Sequence, residues 1–292
     1  MSKFYCKILF IISYLTLIFS IQEPKKKLIW SDEFEGNSLN LKKWACQIGN
    51  GKEGWGNWEL QYYTNRTENI YIKDNILHIK VQKENYKNYR YTSARITTRH
   101  NFKFKYGTVE ANISLPINRG IWPAFSMLGF YSEIWPNCGS INIAESKNLE
   151  CIIYCSCYWY SNGVAQLRMH SDFFDIKKFH IYKLVWNKEY IRIYIDDHLE
   201  FEIDIKNNVG NTFAFHDYFD LMFNVAVGGN VVGNEITDSG LPKEMLIDYV
   251  RVYQNEGEED YEISENIYYY NNCYWINGIK YSLFFIIFSL FL

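Results

Sequence analysis

Apolar residues recur at every second position in several short stretches of the middle of the chain. NILHIKVQ (75–82), YGTVEANISL (106–115) and LIDYVRVYQ (246–254) all show this alternation. A period of two predicts half-buried strands. IRIYIDDHLEFEIDI contains two such stretches, and the Asp196-Asp197 pair between them is typical of a hairpin turn. Because no long helical period and no internal repeat is present, the pattern predicts an all-β sandwich of two sheets over residues 28–254.

The N-terminal segment has a different composition. Residues 1–20 carry Lys3 and Lys7, followed by a run of apolar residues. This order predicts a secretory signal peptide, which is removed from the mature protein. The alternative is a signal anchor that stays uncleaved.

The C-terminal segment also departs from the strand pattern. Residues 255–280 form an acidic and aromatic tether, and residues 281–292 form an apolar tail. The tail is too short to span a bilayer as a helix. A short apolar tail behind a polar spacer is typical of a glycolipid-anchor signal, which would attach the protein to a membrane surface. An ordinary apolar terminus is the alternative.

Composition narrows the class of protein. Of 292 residues, 48% are hydrophobic, which is enough for one large core. The net charge is −3, and residues 25–27 form the one basic block, so nucleic acid is excluded as a partner.

Cysteines and glycosylation motifs fit an exported chain. Six cysteines remain after removal of the signal peptide, and disulfides are expected among them. No Cys-x-x-Cys pair is present, which argues against a zinc site. Asn65 and Asn112 begin N-glycosylation motifs.

Ordered blocks along the domain resemble glycoside hydrolase family 16, in particular its laminarinase-like members, which cleave β-1,3-glucans. The blocks include WSDEFEGNSLNLKKW, WGNWELQYYT, SARITTR, GIWPAFSMLG and FNVAVGGNVVG. The resemblance implies a concanavalin-like β-jelly roll of two curved antiparallel sheets, with a sugar-binding cleft on the concave face. Jelly rolls are also a lectin scaffold, so this fold does not decide between catalysis and binding.

The segment GSINIAE corresponds to the family's catalytic signature, Glu-x-Asp-x-x-Glu. By this resemblance Ser140 stands at the nucleophile position, Asn142 at the middle aspartate and Glu145 at the acid/base position. A retaining glycosidase needs two carboxyl groups about 5–5.5 Å apart. Residues i and i+2 share one strand face, so the longer spacing to Glu145 requires a β-bulge. Glu145 is retained and the other two carboxylates are replaced, which predicts a pseudoenzyme.

An alternative keeps the activity. Glu133 or Glu150 would activate water in an inverting geometry, with carboxyl groups about 6.5–9.5 Å apart. The region ECIIYCSCYWY, where the family often places a cleft histidine, contains none.

The binding side of the resemblance is better preserved. Tryptophan rings bind the flat faces of sugars, and polar side chains fix the hydroxyl groups. Ser126 and Val231 stand where the family often has further tryptophans, which predicts weaker or shifted glucan affinity. The predicted substrate-binding residues are Trp135, Trp122, Arg95 and Asn57.

A metal is expected by resemblance only. Asp248 matches a position at which many family members hold a structural Ca²⁺, and Glu33 is expected nearby. The chemistry itself requires no cofactor.

Two functions follow from these residues. The first is a monomeric protein, secreted or surface-attached, that binds β-glucan without cleaving it. The second is an active endo-β-glucanase or transglycosylase with displaced catalytic groups. A purely structural coat protein is a third alternative.

Overall fold

The computed structural model describes residues 25–264 and the backbone of residues 270–271. The predicted signal peptide and C-terminal tail lie outside the described residues. Within these described residues the fold has twenty strands and four short helical turns. The strands are β1 (Lys26–Asp32), β2 (Ala45–Ile48), β3 (Gln61–Tyr63), β4 (Ile70–Lys73), β5 (Ile76–Tyr86), β6 (Tyr89–Ser93), β7 (Arg95–Thr97), β8 (Phe102–Phe104), β9 (Gly107–Ser114), β10 (Ile121–Gly129), β11 (Ser140–Glu145), β12 (Ile152–Ser161), β13 (Val164–Phe173), β14 (His180–Trp186), β15 (Tyr190–Ile195), β16 (His198–Asp204), β17 (Phe219–Val227), β18 (Lys243–Asn255), β19 (Tyr261–Ile263) and β20 (Tyr270–Asn271). The helical turns are Gly54–Trp58, Lys206–Asn211, Phe213–His216 and Asp238–Gly240.

The strands form two sheets that pack face to face. The first sheet has the order β16-β15-β14-β9-β18-β5-β6-β3, with β1 and β4 pairing at its middle. The second has the order β13-β12-β11-β10-β17-β7-β2-β20, with β8 on β17 and β19 on β8. Neighbouring strands are antiparallel except β3 with β6 and β2 with β20, which are parallel. The predicted all-β sandwich is confirmed.

The alternating stretches supply the core, as predicted. Leu77, Ile79 and Val81 on β5 are fully buried, and so are Val109 and Ile113 on β9. Their polar neighbours point to solvent, because successive side chains of a strand lie on opposite faces. The buried residues of both sheets form one continuous cluster. The sheets therefore share a single core, and each keeps an outer face free for other uses.

The predicted hairpin is also present. Strands β15 and β16 pair antiparallel, with Ile195 opposite His198. Asp196 and Asp197 between them have φ of 49° and 67°. Two consecutive residues with positive φ are typical of a type I′ turn, and aspartate tolerates this conformation better than most residues.

Part of the predicted tether belongs to the folded body. Strand β19, within residues 255–280, pairs with β8 through Tyr261 opposite Phe104. The backbone carbonyl of Asp260 also accepts a hydrogen bond from Lys105. The boundary at residue 254 therefore comes too early for these contacts.

The described cysteines are all free thiols: Cys46, Cys138, Cys151, Cys155 and Cys157. Cys155 and Cys157 are both buried on the core side of β12, as expected for positions two apart on a strand. The expected disulfides are therefore not formed among them; Cys273 lies outside the described residues.

The two predicted glycosylation motifs lie in different settings. Asn65 is exposed in a loop, whereas Asn112 lies within β9, where its amide donates a hydrogen bond to Asp248. Asn65 is the better placed acceptor, and glycosylation itself stays a prediction. No helix in the described part of the chain is long and apolar enough to cross a membrane.

Candidate functional site

Strand β11 presents the three predicted catalytic positions on one face. Ile141 and Ile143 point into the core, so Ser140 and Asn142 point outward. The pairing of β11 with both of its neighbours slips by one residue between Asn142 and Glu145. This bulge returns Glu145 to the outward face, as the spacing predicted. We call this outward side of the second sheet the site face.

Glu145 is a nearly buried carboxyl group. It is 7% exposed, and Trp122 Nε1 donates a hydrogen bond to its Oε1 at 3.1 Å. Burial raises the pKa of Glu145 to about 7, although the charge of Lys147 and the hydrogen bond from Trp122 act in the opposite direction. A carboxyl group with a pKa near neutrality can either donate or accept a proton.

Ser140 lies beside two aromatic rings. Trp135 Nε1 donates to Ser140 Oγ at 3.3 Å, and Tyr158 is the Cα partner of Ser140 on β12. The ring centroids of Trp135 and Tyr158 are 5.5 Å apart. Trp135 is 37% exposed. Burial, and then the charge of Glu145, raise the pKa of Tyr158 to about 12, so its hydroxyl stays protonated.

Small, uncharged side chains occupy the middle of the site face. Asn142 Nδ2 donates to Ser156 Oγ at 2.9 Å, and Ser156 lies directly opposite Asn142 on β12. Ser126 lies opposite Asn142 on the other side, on β10. Ser126, one of the two positions where the family often has a tryptophan, therefore adds no ring here. The row through Asn142 carries no charge between β12 and β10.

A trough separates Glu145 from Arg95. Cα pairing places Glu145, Ala124, Asn224 and Arg95 in one row across four neighbouring strands. Three strand spacings amount to about 14 Å. Ala124 and Ser126 lie on β10, and their small side chains leave the floor of this trough low.

Arg95 forms the opposite wall with a tryptophan. Its Nε donates to Gln47 Oε1 at 2.5 Å, and its guanidinium lies 4.5 Å from the ring centroid of Trp55. This stacking fixes a cationic donor at the edge of the trough. The sequence motif that predicted Arg95 carried no information about Gln47, which lies on the neighbouring strand β2 but far away in the sequence.

Asn57 does not act alone but belongs to a network around Glu59. Asn57 Nδ2 donates to Glu59 Oε1 at 3.1 Å, and Gln61 Nε2 donates to Glu59 Oε2 at 2.7 Å. Tyr63 connects the network to the site face, because its hydroxyl accepts from Asn224 Nδ2 at 3.3 Å. Burial raises the pKa of Glu59, and the charge of Arg95 lowers it. Glu59 lies within the motif WGNWELQYYT but was not among the predicted site residues.

Aromatic side chains continue beyond the predicted set. Tyr160 shares the outward side of β12 with Tyr158, and it borders a groove of about 240 Å³ together with Tyr131 and Phe213. Trp58 is a further exposed ring outside this groove; it was not among the predicted site residues and is 62% exposed. The groove also contains the amides of Asn137, Asn162 and Asn211. Exposed rings with amide groups nearby suit sugar hydroxyls and sugar faces.

The two acids named for the alternative activity lie in different places. Glu133 is exposed in the loop before β11. Glu150 accepts a hydrogen bond from the Tyr154 hydroxyl at 2.6 Å, and Tyr154 is the Cα partner of Glu145. Tyr154 therefore connects Glu150 to the strand position opposite Glu145.

Asp248, the predicted calcium ligand, accepts a hydrogen bond from a neighbouring strand. Asn112 donates to Asp248 Oδ2 at 2.9 Å. Glu33 is engaged elsewhere, because Arg251 binds both of its oxygens at 3.0 and 2.7 Å. Calcium prefers six to eight oxygen ligands. These contacts do not test backbone carbonyls as ligands, and calcium at Asp248 stays a prediction.

A two-sheet sandwich whose outer face combines a carboxyl group, tryptophans and amide groups is the architecture of a carbohydrate-active or carbohydrate-binding jelly roll. Residues 57–251 match the model of glycosyl hydrolases family 16. The chain belongs to this family, and the predicted jelly roll is confirmed.

The relatives include a clotting factor subunit, a glucanase and a glucan-binding protein. The chain is 35% identical over 237 residues to the clotting factor G alpha subunit of Tachypleus tridentatus, covering 80% of this chain and 35% of that protein. It therefore spans about a third of that relative's length. It is 34% identical over 255 residues to a beta-glucanase of Rhodothermus marinus, covering 80% and 87%. It is 24% identical over 277 residues to a beta-1,3-glucan-binding protein of Penaeus monodon, covering 69% and 74%.

Solved structures show the same fold. The laminarinase from Rhodothermus marinus superposes with a TM-score of 0.74 at 34% identity, covering 80% of this chain and 99% of that chain. A glutamate-to-serine variant of LamA from Zobellia galactanivorans, in complex with laminaritriose and laminaritetraose, superposes with a TM-score of 0.70 at 31% identity, covering 78% and 99%.

Proposed function

We propose that this protein binds β-1,3-glucan-like polysaccharide on the site face and does not hydrolyse it by the retaining mechanism. One observation carries the proposal. The bulge in β11 brings Ser140, Asn142 and Glu145 to one face, and Glu145 is the single carboxylate of the three.

The chemistry explains why one carboxyl group is insufficient. The retaining mechanism needs a nucleophile that forms a glycosyl-enzyme and a second carboxyl group that exchanges the proton. A serine hydroxyl needs an adjacent base to act as a nucleophile. Among the described residues, the side-chain hydrogen bond to Ser140 comes from Trp135, an indole N–H that is a donor and not a base. Loss of a nucleophile costs about 10⁶ in rate in a well-studied hydrolase.

The binding surface supports retention of a ligand. Trp135 and Tyr158 form an aromatic wall, Arg95 supplies a fixed donor across the trough, and small side chains form the floor. The complex of the LamA serine variant with laminaritriose and laminaritetraose supports the idea that a serine in place of a glutamate is compatible with glucan binding. The name of the Penaeus monodon relative points to the same ligand class.

The expected setting is extracellular. We propose a secreted or surface protein, monomeric, with the C-terminal segment as a glycolipid attachment, because the two ends of the sequence have the composition of such signals. Polysaccharide is the partner, and nucleic acid is not.

The test compares hydrolysis with binding in the folded body, residues 25–264, so that β19 is retained. Reducing-end release from laminarin is measured for the natural protein and for the double variant Ser140→Glu with Asn142→Asp. Laminarin affinity is measured for both by calorimetry. We expect binding by both proteins and turnover by the double variant alone, at least 10³-fold above the natural protein.

The variant Glu145→Gln in the background of the double variant is the matched control. It removes the proton donor and should abolish the restored turnover while laminarin still binds. Turnover by the natural protein that disappears with Glu145→Gln would contradict the proposal. The chain would then be a hydrolase with a relocated partner group.

That second candidate rests on one observation. The pKa of Glu145 is raised to about 7 by burial, as an acid/base catalyst requires. Glu150 accepts a hydrogen bond from Tyr154, the Cα partner of Glu145 on β12, and is the candidate partner acid. Loss of any natural turnover in Glu150→Gln would identify it as the partner.

A further inference from the structure

The edge strands of the two sheets meet on one side of the sandwich. β13 is the last strand of the second sheet and β16 the last strand of the first, and residues of the two strands contact each other. His170 and Asp172 on β13 lie opposite Cys155 and Ile153, which are core residues of β12. Since paired residues share a face, His170 and Asp172 are on the side of β13 that faces the first sheet.

Glu200 approaches the same place from the other sheet. The pairing of β15 with β16 changes register here: Phe201 lies opposite Ile193, and Leu199 lies opposite Tyr194. Glu200 is the extra residue of this β-bulge. Bulges redirect a side chain away from the regular alternation.

The Glu200 carboxylate is nearly buried without a hydrogen-bond donor. Its side chain is 10% exposed. In the part of the chain that the structure describes, its nearest cationic atom is His170 Nε2, at 3.8 Å, which is too long for a hydrogen bond. A buried carboxylate beside a second carboxylate is costly unless a cation balances both.

The three donor atoms are close enough to bind one ion. One ligand atom each from His170, Asp172 and Glu200 lies within 4.8 Å of the others. Zinc binds imidazole nitrogen at about 2.0–2.1 Å and carboxylate oxygen at about 2.0–2.2 Å, so two ligands of one ion lie about 3–3.5 Å apart. Small side-chain rotations at two exposed positions, His170 and Asp172, are sufficient to close this distance.

We propose that His170, Asp172 and Glu200 form a Zn²⁺ site that joins the edges of the two sheets. The imidazole nitrogen selects zinc over calcium and magnesium, which prefer oxygen ligands alone. Water fills the fourth position. The absence of Cys-x-x-Cys pairs argued against zinc, but that argument concerned cysteine ligands, and these three residues meet only in the folded chain. The site is separate from Asp248 and does not depend on glucan binding.

The site has a structural consequence. β13 is an almost wholly exposed edge strand, and among the strands that the structure describes it pairs with β12 alone in the second sheet. β12 carries Ser156 and Tyr158 on the site face. An ion between β13 and β16 fixes this edge to the first sheet and so holds the aromatic wall in place.

The experiment is calorimetric titration of Zn²⁺ into the untagged, chelator-treated protein, with thermal unfolding measured with and without zinc. We expect one zinc ion per chain and a higher Tm with zinc. Asp172→Asn and Glu200→Gln should each weaken zinc affinity at least tenfold and abolish the rise in Tm. Glu244→Gln is the matched control, because His78 and Glu244 form a histidine–carboxylate pair at 2.9 Å outside the three-ligand cluster.

Each outcome decides the proposal. Absence of stoichiometric zinc binding, or zinc binding that Asp172→Asn and His170→Gln leave unchanged, overturns it. Calcium binding that is as tight as zinc binding and insensitive to His170→Gln also overturns it. His170 and Asp172 are exposed, so their variants should fold even if Glu200→Gln does not, and circular dichroism of the zinc-free proteins checks this.

Discussion

Two buried carboxyl groups lie on opposite sides of the trough and have very different surroundings. Glu59 receives hydrogen bonds from the Asn57 and Gln61 amides, and Arg95 adds a favourable charge. Glu145 receives one hydrogen bond, from Trp122, although it is buried to a similar degree. Glu59 therefore organises the hydrogen bonds of the wall that contains Arg95. Glu145, which has few hydrogen-bond donors around it, has a raised pKa instead.

The largest expected effect on stability is at Glu59. Glu59→Ala leaves the buried amides of Asn57 and Gln61 without their acceptor and removes the charge facing Arg95. We expect a loss of about 4 kcal/mol in the free energy of unfolding, measured by urea denaturation. Glu68→Ala, in an exposed loop, is the control and should change stability by less than about 0.5 kcal/mol. Equal effects for the two variants would mean that the network does not stabilise the wall.

The next effect concerns Glu145 and depends on pH. The pKa of Glu145 in the folded protein is about 7, against an ordinary value of 4.5. The folded state therefore holds the Glu145 proton more tightly than the unfolded state does. The contribution of this proton to the free energy of unfolding is complete below pH 4.5 and is lost as the pH rises through 7. Glu145→Gln, neutral at every pH, should match the natural protein at pH 4 and exceed its stability by about 3 kcal/mol at pH 8.

Urea unfolding at pH 4, 6 and 8 measures this difference for Glu145. Glu68→Gln serves as the reference for a carboxyl group in an exposed loop. A stability difference between Glu145→Gln and the natural protein that is the same at all three pH values would show that burial does not control this carboxyl group.

A smaller effect is expected on the aromatic wall. Trp135→Ala removes the partially exposed ring that stacks near Tyr158. Laminarin affinity should fall about tenfold, or ~1.4 kcal/mol, in calorimetric titration. Phe179→Ala removes an exposed ring that directly precedes β14 of the first sheet, and laminarin affinity should stay unchanged. Equal loss in both variants would point to a non-specific change.

The smallest effect is expected for Asn142→Asp alone. Ser156 accepts a hydrogen bond from Asn142, and its hydroxyl can donate to an aspartate instead. Stability and laminarin affinity should change by less than about 1 kcal/mol, and no turnover should appear, because Ser140 is unchanged. Turnover in this single variant would place the nucleophile at a residue other than Ser140.

Predictions from the sequence succeeded where they depended on local periodicity. The strands at 75–82 and 106–115 and the hairpin at Asp196 and Asp197 follow from alternation and turn chemistry, which involve neighbouring residues. The bulge before Glu145 followed from the spacing of the motif, since a strand face repeats every two residues.

Predictions were missing where a partner lies far along the chain. Gln47 beside Arg95, and Ser156 opposite Asn142, depend on which strands pair and in which register. The bidentate contact of Arg251 with Glu33 likewise depends on the pairing of β1 with β18. Long-range register is set by packing of the whole sandwich and leaves no short sequence signal.

The sequence by itself determined the strands and the family, and it carries the predicted replacement of two catalytic carboxylates at Ser140 and Asn142, because these depend on residue identity and local spacing. Only the tertiary structure decided the solvation of Glu59 and Glu145 and the meeting of His170, Asp172 and Glu200. Burial and proximity arise when distant strands pack against each other. The pKa of Glu145 and the proposed zinc site therefore depend on the packed sandwich, whereas the predicted absence of a nucleophile at Ser140 depends on residue identity alone.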